Sequence, residues 1–133
     1  MNSVVADTHA LVWYILEPEK LSAKAQEALD GAWQAGEPIY MASITLVEVW
    51  YLTEKGRLPR DIYERLVEVM EGPDAGVVLV PLDLDIVEAL RAVPREVISD
   101  MPDRIIAATA QRLGVPLVSR DGRIQASGLN VIW

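Results

Sequence analysis

Short apolar runs alternate along the chain with longer stretches in which apolar residues recur every three or four positions, a pattern that predicts strands and helices in turn. The short runs fall at residues 2–6, 39–42, 77–80, 116–119 and 130–132, most of them bounded by Gly, Pro or an acid as buried strands are. After the first, Asp7 and Thr8 offer a cap for a short helix over 10–16 that stops before Pro18. Ser22 starts another through Trp33, with Ala25, Ala28, Leu29 and Ala32 on one side, closed by Gly36 and Pro38. Ser43 is expected to cap a helix over 44–55 ended by Gly56, and a mixed-charge face marks a further helix over 59–71. Gly72, Pro73 and Gly76 read as a loop. Asp83 caps a helix to Arg91, Pro94 interrupts before 95–98, and Ser99 or Asp100 starts a helix to Leu113 with Gly114 as its C-cap. Arg120, Asp121 and Gly122 turn into a short helical piece. This alternation argues for an α/β sandwich with a mostly parallel sheet.

Two acids break the pattern. Asp103 shares a helical face with Ile106, Ala107 and Ala110, and Glu48 has Ile44, Tyr51 and Leu52 as its neighbours one turn away. A carboxylate on a stripe that faces a core is costly unless something compensates it. Two more acids, Asp7 and Asp121, follow predicted strands, which puts them at the carboxyl edge of the sheet, where α/β folds bind ligands. The helix carrying Glu48 is apolar nearly all round, so it is either central or shared with a partner. Trp13, Tyr14, Trp50 and Tyr51 fit a core or an interface equally well.

Composition narrows the chemistry. The 133 residues are 51% hydrophobic and 24% charged, ordinary for one folded domain. There is no Cys and a single His, so thiolate and multi-histidine metal sites are excluded and a metal would be held by oxygen, pointing to Mg2+ or Mn2+. The strand-like start reaches Asp7 without a basic region, and the apolar run over 10–16 is too short to span a bilayer; a cytoplasmic protein with no membrane association is expected. The net charge of −8 opposes broad nucleic-acid binding. It is unevenly spread, since four arginines against three acids from Ser99 onward leave the first 98 residues at −9. Contact with RNA would therefore be local, through metal and a few arginines.

Each acid also has a plain structural explanation: Asp7 as an N-cap, Asp121 as a turn residue before Gly122, Glu48 as a paired or surface group, Asp103 as an acid suited to a helix start. If the four converge, two carboxylates about 4 Å apart repel by roughly 4 kcal/mol at an effective dielectric near 20. A divalent cation answers that repulsion and brings phosphodiester chemistry with it.

The segments V-V-A-D-T-H-A-L-V-W, S-I-T-L-V-E-V, D-M-P-D-R-I-I-A-A-T-A and L-V-S-R-D-G, in that order, resemble the four acidic motifs of the PIN-domain ribonucleases. The chain is most similar to the VapC-type toxins of toxin–antitoxin pairs, over essentially its whole length. The resemblance implies a single PIN domain over residues 1–133, built as a three-layer α/β/α sandwich, that cleaves RNA phosphodiesters by metal-activated water. By the same resemblance Asp7, Glu48, Asp103 and Asp121 are the catalytic and metal-holding acids around Mg2+ or Mn2+. Ser119 would orient a carboxylate or water, Thr8 would follow the first acid, and Asp100 would support from behind. A homodimer and a cognate VapB-like antitoxin are implied as partners, with RNA as substrate.

His9, alone and on a first helical turn, is expected to bond locally rather than act as a base. Arg104 and Arg120 each adjoin a cluster acid and are expected to tie it up structurally rather than touch phosphate. A catalytically silent PIN-like interaction module is the rival reading, although a binding relic has no reason to keep mutually repelling acids. A phosphoacceptor receiver domain would need a lysine near the late strands, and none follows Lys55.

Overall fold

Alternation of side chains along the strands sets the architecture. In the computed structural model, which describes residues 2–72 and 74–133, five strands form one sheet: β1 (Val4–Ala6), β2 (Ile39–Ala42), β3 (Val77–Val80), β4 (Leu117–Val118) and β5 (Val131–Ile132). All neighbouring pairs are parallel, in the order β3-β2-β1-β4-β5. Val4, Ala6, Ile39, Met41 and Val118 point to one face and Val5, Ala42 and Leu117 to the other, and each set belongs to a separate apolar cluster. Both faces are therefore buried, as a parallel sheet requires.

Helices cover the two faces. On the first lie α1 (Thr8–Leu16), α2 (Ala23–Gln34), α3 (Ser43–Glu54) and α4 (Ile62–Met70), contributing Leu11, Leu29, Val49 and Leu66. On the second lie α5 (Leu84–Leu90), α6 (Met101–Leu113) and α7 (Gly122–Gln125), contributing Ile86, Ile106 and Ile124. The result is the three-layer α/β/α sandwich. Among the described residues, no helix is long and apolar enough to cross a membrane.

Most predicted elements stand within a residue or two of their expected ends, and the exceptions have local causes. The first strand starts at Val4 rather than residue 2, because the Asn2 amide and the Ser3 hydroxyl donate to the Glu37 carboxylate instead of extending the ladder. The fourth helix starts at Ile62 rather than 59, since the Ile62 amide closes a turn on the Pro59 carbonyl. Ser43 is the first residue of α3 and not its cap: its hydroxyl accepts the Leu82 amide, joining the ends of β2 and β3. A 3-10 turn at Pro18–Lys20, absent from the sequence reading, follows α1. The loop reading at Pro73 lies outside the described residues.

The helix over 101–113 is the most buried, with Ile105 to Ala110 all enclosed. Asp100 rather than Ser99 caps it, accepting the Asp103 amide at 3.2 Å, and Gly114 ends it at φ +69. Among the described residues Arg104 pairs with no acid. Its guanidinium donates to the Val93 carbonyl at 2.7 and 3.0 Å and to the Leu90 carbonyl at 3.1 Å, closing the end of α5. Arg104→Ala should therefore destabilise the fold by about 1–3 kcal/mol in urea unfolding, the range for hydrogen bonds from a charged donor. A change within error would show that these carbonyls find water instead.

Candidate active site

The sheet turns back on itself between β1 and β4: from β1 the chain builds outward through β2 and β3, then returns to place β4 and β5 on the other side. At such a switch point the loops leaving two neighbouring strands diverge and open a crevice. Asp7 leaves β1 and Asp121 follows β4, and the Asp7 amide still bonds the Val118 carbonyl at 3.1 Å. Over this edge run the start of α6, with Asp100 and Asp103, and the first turns of α3, with Glu48. A cavity of about 520 Å3 opens there, lined by Asp7, Glu48, Asp100, Asp103 and Asp121. Thr8, His9, Trp13 and Arg120 complete its wall. The four acids read from four distant stretches of sequence thus share one cavity.

Three of these carboxylates also cap helices. Asp7 accepts the Ala10 amide at 2.9 Å, Asp121 accepts the Arg123 and Ile124 amides at 2.8 and 3.1 Å, and Asp100 caps α6. The plain readings of Asp7 and Asp121 are correct, and so is their convergence. Asp103 is released from capping by Asp100, three residues earlier, and faces the cavity half-buried.

Hydroxyls support the acids from behind. The buried Thr8 hydroxyl donates to Glu48 Oε1 at 2.6 Å and shares a second hydrogen bond of 3.2 Å with Thr45. Ser119, fully buried, accepts the Asp121 amide at 3.1 Å and bonds the Asp7 carboxylate, so one hydroxyl joins the acids that follow β1 and β4. Thr45 was missed in the sequence. Its only signal is its place three residues before Glu48, on the same helical face.

Electrostatics separate this cluster from ordinary surface acids. Burial pushes the Asp7 carboxyl above its usual range, against the lowering effect of its bonds to Ser119 and Ala10. Burial likewise raises Glu48, with the Thr8 hydroxyl opposing and the Asp100 charge adding. Asp103 is pushed up to about 7, first by burial and then by the charges of Asp100, Asp121, Glu48 and Asp7. Crowded, partly desolvated carboxylates of this kind mark functional sites more often than structural ones.

The donor set fits a hard divalent cation: oxygen ligands only, excess negative charge, and an open cavity with room for water. Among the described residues, no three acidic or histidine side chains are grouped closely enough to hold an ion by themselves. Mg2+ commonly takes one or two carboxylates and keeps several waters, so the fit does not depend on a closed cage.

The PIN domain family model matches residues 4–128. The chain belongs to the PIN domain family. Among curated proteins it is similar to Ribonuclease VapC22 of Mycobacterium tuberculosis (strain ATCC 25618 / H37Rv), 28% identical over 126 residues that span 95% of this chain and 92% of the relative. Among solved structures, this PIN domain resembles VapBC2 from Rickettsia felis bound to a DNA fragment from their promoter, with TM-score 0.72 at 15% identity over 97% of this chain and 96% of that one. It also resembles a toxin–antitoxin complex from Klebsiella pneumoniae, with TM-score 0.65 at 23% identity over 98% and 96% of the two chains. At these identities the solved structures bear on the fold alone.

The raised Asp103 carboxyl has a measurable consequence. With a folded-state value of about 7 against the ordinary carboxyl value of 3.8, the metal-free native state binds the extra proton. Stability therefore falls as pH rises through that window. Asp103→Asn should raise the Tm of the metal-free protein by a few degrees at pH 8 and leave it unchanged near pH 4. An equal shift at both pH values would show that Asp103 carries no such strain.

Proposed function

We propose that this PIN domain is a metal-dependent endoribonuclease, the toxin component of a toxin–antitoxin pair, acting on RNA in the cytoplasm. The observation that carries the reading is the convergence of Asp7, Glu48, Asp103 and Asp121 on one cavity at the sheet's carboxyl edge. The Ribonuclease VapC22 similarity, which extends across nearly all of both chains, supports the same activity.

Asp7, Glu48, Asp103 and Asp121 would hold Mg2+ or Mn2+, with Thr8, Ser119 and Asp100 fixing where those carboxylates stand. The ion, when bound, supplies two things: a lowered pKa for a water and neutralisation of charge on a phosphoryl oxygen. The protein's own part is positional. Ser119 and the Ala10 amide hold the Asp7 carboxylate at the end of β1, and Thr8 turns Glu48 inward from α3. The attacking water and the departing 3′ oxygen must lie in line through phosphorus, and carboxylates fixed around one cavity suit that requirement.

The partners follow from the exposed apolar side chains of α3. Val47, Trp50 and Tyr51 are 50%, 46% and 60% exposed there, and Trp50 lies edge-on to Tyr63 at 5.6 Å. Leu46, Val47, Trp50 and Tyr63 line a groove of about 400 Å3. A face this apolar marks an interaction surface, in keeping with a homodimer and a VapB-like antitoxin. Solved relatives of this fold are toxin–antitoxin complexes.

Single-stranded RNA incubated with Mn2+ should be cut by the wild type, and Asp7→Asn and Asp103→Asn should each lose at least about 100-fold in rate, the scale of a transition-state charge interaction. Equal cutting by all three ends the assignment of these acids. Calorimetry adds an independent reading: Mn2+ should bind the wild type and raise its Tm, whereas absent binding would leave the silent interaction module. On gel filtration the protein alone should elute as a dimer at micromolar concentration, and a monomer there would remove the dimer from this reading.

A further inference from the structure

The cavity lining is not acidic throughout. Trp13, on the second turn of the first helix, has its ring 5.7 Å from that of His9, 5.8 Å from the Arg120 guanidinium carbon and 5.9 Å from Lys20 Nζ. Trp133 braces it at 5.9 Å with the rings tilted 56°. A second cavity, of about 480 Å3, shares Thr8, His9 and Trp13 with the acidic one and runs on past Lys20, Leu58 and Arg57. The two adjoin at these shared residues, a trough that Trp13 borders on both sides.

The cations along this trough differ in their engagements. Lys20 pairs with Glu17 at 2.6 Å. Arg120, although it adjoins Asp121, has turned to the Trp13 ring instead, against the expectation that it would tie up a cluster acid. Among the described residues neither Arg120 nor Arg57 makes an ion pair. One guanidinium therefore lies over an aromatic ring beside the acids and a second lines the adjoining cavity, in a chain whose net charge is −8. Such a field offers RNA no broad attraction, so affinity has to come from a few short-range contacts.

We propose that Trp13 is a stacking platform for one unpaired base next to the scissile phosphate, and that Arg120 and Arg57 hold the flanking phosphates along the trough. The substrate class is single-stranded RNA, because a base can lie on an aromatic face only when it is free of the duplex stack. Trp13, Arg120 and Arg57 are positioning residues, distinct from the acids. The assignment rests on the ribonuclease reading for its place beside a scissile bond, but it makes its own prediction about binding.

The test measures binding of a labelled short single-stranded RNA by fluorescence anisotropy in Mn2+, using Asp103→Asn as the parent so that the RNA survives. Added to that parent, Trp13→Leu should weaken binding about tenfold, the loss of one stacked base, while Trp13→Phe should largely retain it. Arg57→Gln and Arg120→Gln, on exposed side chains that leave the fold intact, should each flatten the slope of log affinity against log salt by about 0.7. Duplex RNA of the same sequence should bind more weakly than the single strand. Failure of the parent to bind the single strand overturns the proposal. So does equal binding by Trp13→Leu and both arginine variants. If binding shows this dependence and the wild type cuts no RNA, the platform stands and the cleavage reading falls. If the wild type cuts RNA and Trp13→Leu leaves KM unchanged, the cleavage reading stands and the platform falls.

Discussion

Like charge held together against a buried helix is the constraint on which the rest of this structure depends. Asp103 sits where the α6 stripe of Ile106, Ala107 and Ala110 enters the core, and its carboxyl is raised to about 7 by burial and by four neighbouring acids. Nothing in the packing of α6 calls for an acid there. The cost is offset in part by fixed donors: Ser119 for Asp7, Thr8 for Glu48, backbone amides for Asp7, Asp100 and Asp121. These donors hold the carboxylates in place without cancelling their charge. A site built this way attracts cations and repels bare polyanions until one arrives.

The parallel sheet makes that crowding possible. Because β1 and β4 run side by side in the same direction, both deliver their next residues to one edge, and the reversal of strand order there keeps the connections apart. The second wall comes from helices that begin at the same level: α3 directly after β2, and α6 across the other face. Sequence separations of more than a hundred residues collapse to one cavity by topology alone.

Much of this was legible in the sequence. Short apolar runs located the strands, and Asp, Ser and Gly punctuation located most helix ends, because those signals are local and chemical. The acids were legible as violations: Asp103 and Glu48 interrupt apolar stripes. What stayed hidden was long-range. Ser43 reads as a cap, yet its hydroxyl serves the Leu82 amide, which only the pairing of β2 with β3 brings near. Arg104 and Arg120 look alike beside an acid, but one closes the end of α5 and the other turns to Trp13, a choice made by neighbours remote in sequence. Trp13 itself reads as core or interface, and its position at a cavity junction follows from the returning C-terminal residues that bring Trp133 against it.

Asp7, Asp100 and Asp121 each commit one carboxylate oxygen to a helix start while the same residues line the cavity. The scaffold and the chemistry are thereby written in the same three side chains. Random loss of such a residue damages the helix as well as the site, so mutational drift toward an inert protein is filtered by foldability. The open routes are Asn or Ser, which still accept an amide. A descendant that had abandoned the chemistry while keeping the fold would carry those residues as its scar.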